Sequence, residues 1–246
     1  MPRVFPFGML LGFAGIGMLH SAPVPKPLEL KPATAEQRKQ SQFNLKLIAL
    51  GMHNYEVAYL HFPTDIHDKK GKPLLSWRVA VLPYIDGDDN EALYKKFHRD
   101  EPWDSAHNKK LIESIPKVYS AVRAKPEVGH TYYRGFSGKE ASWGRTPKNA
   151  IRVAGITDGM SNTIAIVEAG QAVPWTKPES DIPYESEKPL PALGGDVDGA
   201  FHALMWDGSV LNVKRNFDVP TFKSAITPSG GESIVIKTLV EVKSDD

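Results

Sequence analysis

The stretch TAEQRKQSQFNLKLIALGMHNYEVAYLHFP, residues 34–63, decides the fold of this chain. Thr34 and Gln37 have the spacing of the capping box that starts many helices. Apolar residues then recur in steps of three and four, as on one face of a helix. They are Leu45, Ile48, Met52, Tyr55 and Tyr59, and Phe43, Leu47, Leu50 and Val57 widen this stripe. Pro63 cannot continue a helix, so the sequence predicts one helix from about residue 35 to residue 60.

The rest of the chain alternates short apolar runs with turns. The mostly apolar run that begins at Leu74 allows a helix that ends by about residue 82, and helical patterns also cover residues 90–97 and 109–115. Strand propensity marks residues 117–122, 130–136, 151–153, 163–168 and 233–242. Residues 200–213 predict a hairpin with Asp207-Gly208 as a two-residue type I′ turn, in which Leu204 faces Leu211. The expected fold is α+β, a long N-terminal helix packed on an antiparallel β-sheet, with extra loops and short helices.

Composition narrows the classes of function. The chain has 246 residues, of which 41% are hydrophobic and 24% charged, and its net charge is +1. Such a balance gives no electrostatic footprint for nucleic acid. The chain has no cysteine, which excludes disulfides, thiolate catalysis and zinc–thiolate sites. Glycine-rich nucleotide motifs and zinc-protease motifs are also absent from the sequence, so we expect no cofactor.

The first residues predict export. A basic start is followed by the uncharged run FGMLLGFAGIGML and a small residue, Ala22, in the layout of a secretory signal peptide. We therefore divide the chain into a signal peptide or membrane anchor (residues 1–22), a proline-rich linker (23–33) and one domain (34–246). Residues 4–19 would associate with a membrane if they are not cleaved.

Several motifs resemble one family. They are the run NLKLIALGMHNYEVAYLHFP, the segment SWRVAVLPYID that begins at Ser76, the pair Trp103-Asp104, the turn ITDGMSNT of residues 156–163, and Asp207-Gly208. Together they resemble the DUF1559 family of exported proteins typical of planctomycete-type bacteria. The resemblance implies a fold like that of pilins and pseudopilins. It implies no activity, because none is established for the family.

We interpret the motif residues as structural. They are Trp77, Trp103, Asp104, Asp158, Gly159, Ser161, Asn162, Asp207 and Gly208. Asp104 or its neighbour Ser105 can cap the next helix, behind a core tryptophan at Trp103. Side chains of the type found at Asp158, Ser161 and Asn162 bond their own backbone in turns, and glycine supplies positive φ.

Metal sites are only weakly indicated. His53, His61 and His67 lie around one helix end without the regular spacing of zinc ligands. The acidic turns at residues 86–89 and 196–198 resemble fragments of calcium loops, but neither completes the pattern. We predict no metal ligand.

Two classes of function remain open. The first is a non-catalytic, pseudopilin-like subunit that contacts an unknown protein of the cell envelope. The second acts on glycans, either as a hydrolase that uses carboxylates such as Glu101, Asp104 and Glu168, or as a carbohydrate-binding module with exposed Trp143 and Trp175. A deep cleft between paired carboxylates would favour the second class.

Overall fold

A computed structural model describes residues 33–87, 89–122, 126–194, 200–232 and 235–240. Its α-helices are α1 (Ala35–Tyr59), α2 (Trp77–Ala80), α3 (Asn90–Lys96) and α4 (Val219–Ser224). Its strands are β1 (Ile66–His67), β2 (Pro73–Leu75), β3 (His130–Arg134), β4 (Phe136–Ser137), β5 (Ile164–Pro174), β6 (Ile182–Pro183), β7 (Phe201–Met205) and β8 (Val210–Val213). Short 3-10 helices cover Leu82–Tyr84, Asn108–Ser114, Lys117–Tyr119, Pro147–Asn149, Val153–Gly155 and Ile236–Thr238. The α+β class is confirmed.

Helix α1 begins and ends as the sequence predicts. The Thr34 hydroxyl accepts a hydrogen bond from the Gln37 backbone N–H at 3.2 Å, and the Gln37 side chain accepts one from the Thr34 N–H at 3.0 Å. These two bonds form the capping box. The helix stops at Tyr59 because Leu60 adopts a left-handed conformation, with φ of 61°.

The main sheet has four antiparallel strands in the order β3-β5-β7-β8. Two small ladders accompany it, β1-β2 antiparallel and β4-β6 parallel. Leu45, Ile48 and Met52 of α1 are buried in the core, and α1 contacts β7 and β8. The expected packing of the helix on the sheet is confirmed.

The main sheet is buried on both faces. On the α1 side, Ile166 and Leu204 belong to a cluster that also holds the tryptophans Trp77, Trp143, Trp175 and Trp206. On the opposite side, Val167 and Phe201 pack with Phe222 of α4. Successive side chains of a strand point to opposite faces, so one strand supplies both cores. Trp143 and Trp175 are thus buried, and the expectation that they form an exposed sugar platform is wrong.

The β7–β8 hairpin differs from its predicted register by one residue. Leu204 pairs with Val210, not with Leu211. The Met205 N–H donates to the carbonyl of Ser209 at 2.8 Å, so the loop contains three residues. Gly208 has φ of +87°, whereas Asp207 is not among the described residues with positive φ. This is the geometry of a three-residue hairpin with glycine at the left-handed position, so the predicted type I′ turn is wrong.

Other predicted elements also need correction. Residues 117–122 and 151–153 are not strands, and 3-10 helices occupy Lys117–Tyr119 and Val153–Gly155. The predicted helix over residues 109–115 is a 3-10 helix at Asn108–Ser114. The predicted leader and most of the linker lie outside the described residues. Within the described part, no helix has the length and apolar character that a membrane crossing needs.

Candidate functional site

A buried arginine links α2 to the sheet. The Arg78 side chain has no exposed surface, and its Nη2 forms an ion pair with Asp181 Oδ1 at 3.2 Å. Nε and Nη2 also donate to the Tyr133 carbonyl, at 3.1 and 2.7 Å. Nη1 donates to the hydroxyls of Ser76 and Ser180, at 2.9 and 3.3 Å. A buried charge is tolerated only with such partners, so this group fastens three distant segments together.

The family-motif residue Trp77 serves the same junction. Its indole N–H points at the Asp181 carboxylate, 3.1 Å from Oδ2, and its ring stacks on Trp143 with centroids 4.4 Å apart. The Gly135 N–H donates to the same carboxylate at 2.9 Å. Asp181 therefore accepts from a guanidinium, an indole and a backbone N–H. We call this set, Arg78, Asp181 and Trp77, the arginine hub.

A second carboxylate lies beside the hub. Asp65 accepts hydrogen bonds from the backbone N–H groups of Trp77 and Glu179, both at 2.8 Å. Burial, and then the neighbouring Asp181 charge, raise the pKa of Asp65 to about 6. A carboxyl group with a raised pKa next to one that is paired with arginine is the arrangement of an acid–base pair.

The space between these two carboxyl groups is too small for a substrate. Asp65 and Asp181 line an enclosed cavity of about 10 Å³, together with Trp77, Trp143 and Arg145. This is near the lower limit for a single water molecule. The pair therefore fits a role in fixing loops better than a role in turnover.

A larger cleft adjoins Asp65. Its volume is about 590 Å³, and it is lined by the turn of the β1–β2 hairpin and by the loop of residues 146–148, with Tyr55 of α1 also in its lining. Thr64 and Asp65 line both this cleft and the small cavity. We call it the hairpin cleft. Volumes of 300–1,000 Å³ are typical of ligand sites.

A second buried polar group joins α1 to the sheet. The Ser41 hydroxyl donates to Glu168 Oε1 and lies 2.9 Å from the Tyr133 hydroxyl. Glu168 Oε2 accepts from the His202 backbone N–H at 2.8 Å and lies 3.4 Å from the His202 Nδ1. Serine, carboxylate and histidine thus meet. The carboxylate stands between the other two, whereas a catalytic triad needs histidine in that place.

The three carboxylates expected of a hydrolase do not form one site. Glu168 is buried in the group just described, on β5. Glu101 bonds the His98 ring at 2.9 Å in a partly exposed loop. Asp104 is exposed in the same loop. Glu168 thus lies in the buried sheet, whereas Glu101 and Asp104 lie in a loop with at least partly exposed side chains.

The loop before the Asn108–Ser114 helix is organised by a residue that the sequence analysis missed. The buried amide of Asn108 donates to three carbonyls, those of His98, Glu101 and Pro102, and accepts from the His98 N–H. Ser105 accepts from the Asn108 N–H at 3.1 Å. The N-cap position of the Asn108–Ser114 helix is His107, which makes no side-chain cap, so the expected cap by Asp104 or Ser105 is wrong. Trp103 is half-buried against the core. The sequence signal for this residue is its place in the polar run that follows Trp103, and only the structure shows that it is buried.

The turn of residues 156–163 binds a distant loop. The Asp158 carboxylate accepts from the N–H groups of Gly230 and Gly231, at 2.7 and 3.0 Å. The expectation that Asp158 bonds its own turn is therefore wrong. Asn162 does bond locally, to the Asp158 carbonyl at 3.0 Å, and Gly159 has φ of +95°. Ser161 is exposed.

The three histidines around the end of α1 are bonded to backbone carbonyls and do not form a metal site. His53, His61 and His67 each place a ring nitrogen within 2.7–2.8 Å of a backbone carbonyl. Among the described residues, no group of three or more histidine, aspartate and glutamate side chains is arranged to hold a metal ion. The acidic turn at residues 196–198 lies outside the described residues, as does part of the turn at residues 86–89.

Helix α1 carries apolar residues on its outer side. Phe43 is 56% exposed, Leu50 46% and Val57 75%. The expectation that they widen the buried stripe is wrong, and Tyr59, at 51% exposure, also lies outside the core. The first three residues are spaced by seven, so they follow one line along the helix, with half-buried Leu47 beside it. We call Phe43, Leu50 and Val57 the outward stripe.

Comparison with known proteins identifies the family of the N-terminal segment. The family model SBP_bac_10, described as a protein of unknown function (DUF1559), matches residues 35–124. Over these residues the chain is similar to the DUF1559 family, and the resemblance seen in the sequence is confirmed there. The matched segment contains α1, the Ser76-Trp77-Arg78 motif and the Trp103-Asp104 pair. No curated protein and no solved structure matches the chain.

Proposed function

We propose that this chain is an exported, non-catalytic, pseudopilin-like subunit that acts through protein contacts at the cell envelope. The outward stripe carries this proposal. Three large apolar side chains lie on one line of a 25-residue helix and face away from the core. Apolar side chains scattered singly over a surface need no explanation, but an aligned set is typical of a contact surface.

The charges beside the stripe indicate the kind of partner. Lys39 and Lys46 are exposed, and they lie four residues before Phe43 and Leu50, so each neighbours the stripe. Neither lysine forms an ion pair with another described residue. An amphipathic helix with apolar residues spaced by seven and acidic residues at its flank would match both features. We infer that the partner is an envelope protein with such a helix.

The geometry of the carboxylates supports a non-catalytic role. A glycosidase needs two carboxyl groups about 5–10 Å apart across an accessible cleft. Asp65 and Asp181 neighbour each other, but the space that they share is a cavity of only about 10 Å³. Their hydrogen bonds to backbone groups give each a structural task.

Photo-crosslinking tests the proposal. A crosslinking amino acid replaces Leu50 in the full chain, and the host organism produces it. We expect a crosslink to one envelope protein, mapped by mass spectrometry to an apolar helix with acidic flanks. The matched control carries the crosslinker at exposed Ala35, at the start of the same helix and outside the stripe. Equal yields from residues 35 and 50, or no envelope partner at residue 50, would contradict the proposal.

A further inference from the structure

Three lysines line the rim of the hairpin cleft. Lys69, Lys70 and Lys148 line it, and Lys69 and Lys70 are exposed. None of the three forms an ion pair with another described residue. The one aspartate of the turn, Asp68, is occupied by the backbone, because its carboxylate accepts the N–H groups of Lys70 and Lys72 at 2.8 and 2.9 Å. The rim therefore offers cations to an anionic ligand.

The same hairpin turn also lines a second groove. This groove has a volume of about 430 Å³, and residues 67–70 line it together with Leu74, Arg99 and Asp100. The Arg99 guanidinium lies over the Tyr94 ring, 4.6 Å from its centroid. The two spaces share the basic turn, so a linear ligand could cross from one to the other. A small isolated anion would need only one of them.

Three tyrosine rings pack together beside the cleft. Tyr55 lines the cleft, and its ring centroid is 4.4 Å from that of Tyr59 and 5.4 Å from that of Tyr84. The Tyr84 hydroxyl donates to that of Tyr59 at 3.2 Å. Such rings present an apolar face and a polar tip, which suits a ligand that is both hydroxylated and partly apolar.

We propose that the hairpin cleft binds an anionic polysaccharide. The lysines of the rim pair with its carboxylate or sulfate groups, and the tyrosines pack on the faces of its sugar rings. Thr64, Asp65 and Thr146 also line the cleft. An acidic peptide would match the lysines but would bring no sugar-ring faces to the tyrosines. The proposal is independent of the outward stripe.

Calorimetry on the full chain tests this inference with three defined probes. They are a linear hexamer of uronic acid, the neutral hexose hexamer with the same linkage, and hexaglutamate. At low ionic strength, where charge pairing is strongest, we expect the uronic acid hexamer to bind at least about tenfold more tightly than either other probe. Absence of binding, equal binding of the neutral hexamer, or equal or tighter binding of hexaglutamate would overturn the proposal.

Two matched pairs of variants locate the site. Lys69→Gln/Lys70→Gln is expected to weaken binding of the uronic acid hexamer about tenfold or more, because two charge-assisted contacts are lost. Lys109→Gln/Lys110→Gln removes two adjacent exposed lysines elsewhere and should leave the affinity within about twofold. Equal weakening by both pairs would place the binding outside the cleft and contradict the proposal.

The second pair compares two exposed aromatic residues of α1. Tyr59→Ala should weaken binding about threefold to tenfold through loss of the ring contact. Phe43→Ala should leave it unchanged, because Phe43 lies on the outward stripe. The result also separates the two proposals, since Phe43→Ala is expected to weaken only the protein contact. A loss confined to Phe43→Ala would overturn the assignment of the polysaccharide to this cleft.

Discussion

The two apolar faces of α1 contrast in what covers them. Leu45, Ile48 and Met52 are buried against the sheet, and Ser41, the polar residue one turn before Leu45, is bonded to Glu168. The outward stripe consists of residues of the same chemical kind, spaced by seven along the same helix, and it faces away from the core. The contrast teaches that apolar periodicity identifies a helix but not the side on which the chain itself packs.

The contrast extends to the charged groups. Arg78, deep in the structure, has hydrogen bonds to Asp181, Tyr133 and two serines. The lysines of the hairpin cleft form no ion pair within the described residues. Arg78 is thus satisfied by the fold, whereas the cleft lysines are available to other molecules. Changes inside should therefore lower stability, whereas changes outside should weaken binding alone.

The largest effect on stability is expected from a charge placed on the buried face of α1, which holds Leu45, Ile48 and Met52. Ile48→Asp places a charge among buried apolar side chains with no partner, and it should lower the free energy of unfolding by about 4 kcal/mol or more, or prevent folding. Urea unfolding followed by tryptophan fluorescence measures the change. Leu50→Asp, two residues away on the outward stripe, is the matched control and should change stability by less than about 0.5 kcal/mol. Similar losses for both variants would contradict the distinction between the faces.

The next largest effect on stability is expected from a substitution in the arginine hub. Arg78→Ala leaves the Asp181 carboxylate buried without its cation, which should cost about 3–5 kcal/mol in the free energy of unfolding. Arg99→Ala removes an arginine that lines the second groove, and we expect a loss below about 1 kcal/mol. Equal melting temperatures for Arg78→Ala and the wild type would show that the hub does not hold these segments together.

The carboxyl group beside the hub should give a distinctive pH dependence. The pKa of Asp65 is raised from 3.8 to about 6, so the folded chain holds its proton where the unfolded chain has released it. The contribution of this group to stability is therefore fully present below pH 3.8 and is lost as the pH rises to about 6. A shift of this size corresponds to about 3 kcal/mol.

Asp65→Asn removes this dependence. The variant loses an acceptor for one backbone N–H, which lowers stability at every pH. Relative to the wild type, however, its free energy of unfolding should rise by about 3 kcal/mol between pH 3.5 and pH 7. Urea unfolding of both proteins across this range measures the difference, with exposed Asp207→Asn as the control. A constant difference between wild type and Asp65→Asn would refute the raised pKa.

A smaller effect is expected at the hairpin turn. Gly208 has φ of +87°, and a β-branched side chain resists this conformation, so Gly208→Val should cost about 1–2 kcal/mol. Gly155 does not have positive φ, and an added Cβ would meet only Ile151 Cδ1 at 3.5 Å. Gly155→Val should therefore change stability less than Gly208→Val. Thermal unfolding compares them, and the reverse order would mean that the turn is not strained by the substitution.

The local features of the fold could be predicted from the sequence. Thr34, Gln37 and Pro63 act on residues within a few positions, so both ends of α1 could be predicted. The register of the hairpin could not, because Asp-Gly suits both a two-residue turn and a three-residue loop. The Met205–Ser209 hydrogen bond, the strand register and the φ angle of Gly208 distinguish them.

Long-range pairing explains what the sequence could not show. Arg78 and Asp181 are separated by 103 positions, and Ser41 and Glu168 by 127. A charged residue within the apolar run SWRVAVL does predict that some partner exists, but not which one. The hairpin cleft is likewise formed by loops that are distant in sequence, so its lysines gave no signal as a group.

The central claim, that the outward stripe is a contact surface and not part of the core, is tested most directly by replacing Phe43, Leu50 and Val57 together with serine. The measurement is the yield of envelope partner crosslinked through a photo-reactive residue at position 46, at equal amounts of folded chain. We predict a loss of about tenfold or more in this yield, with the free energy of unfolding changed by less than about 1 kcal/mol. An undiminished yield, or a variant that unfolds several kcal/mol more easily than the wild type, would contradict the claim.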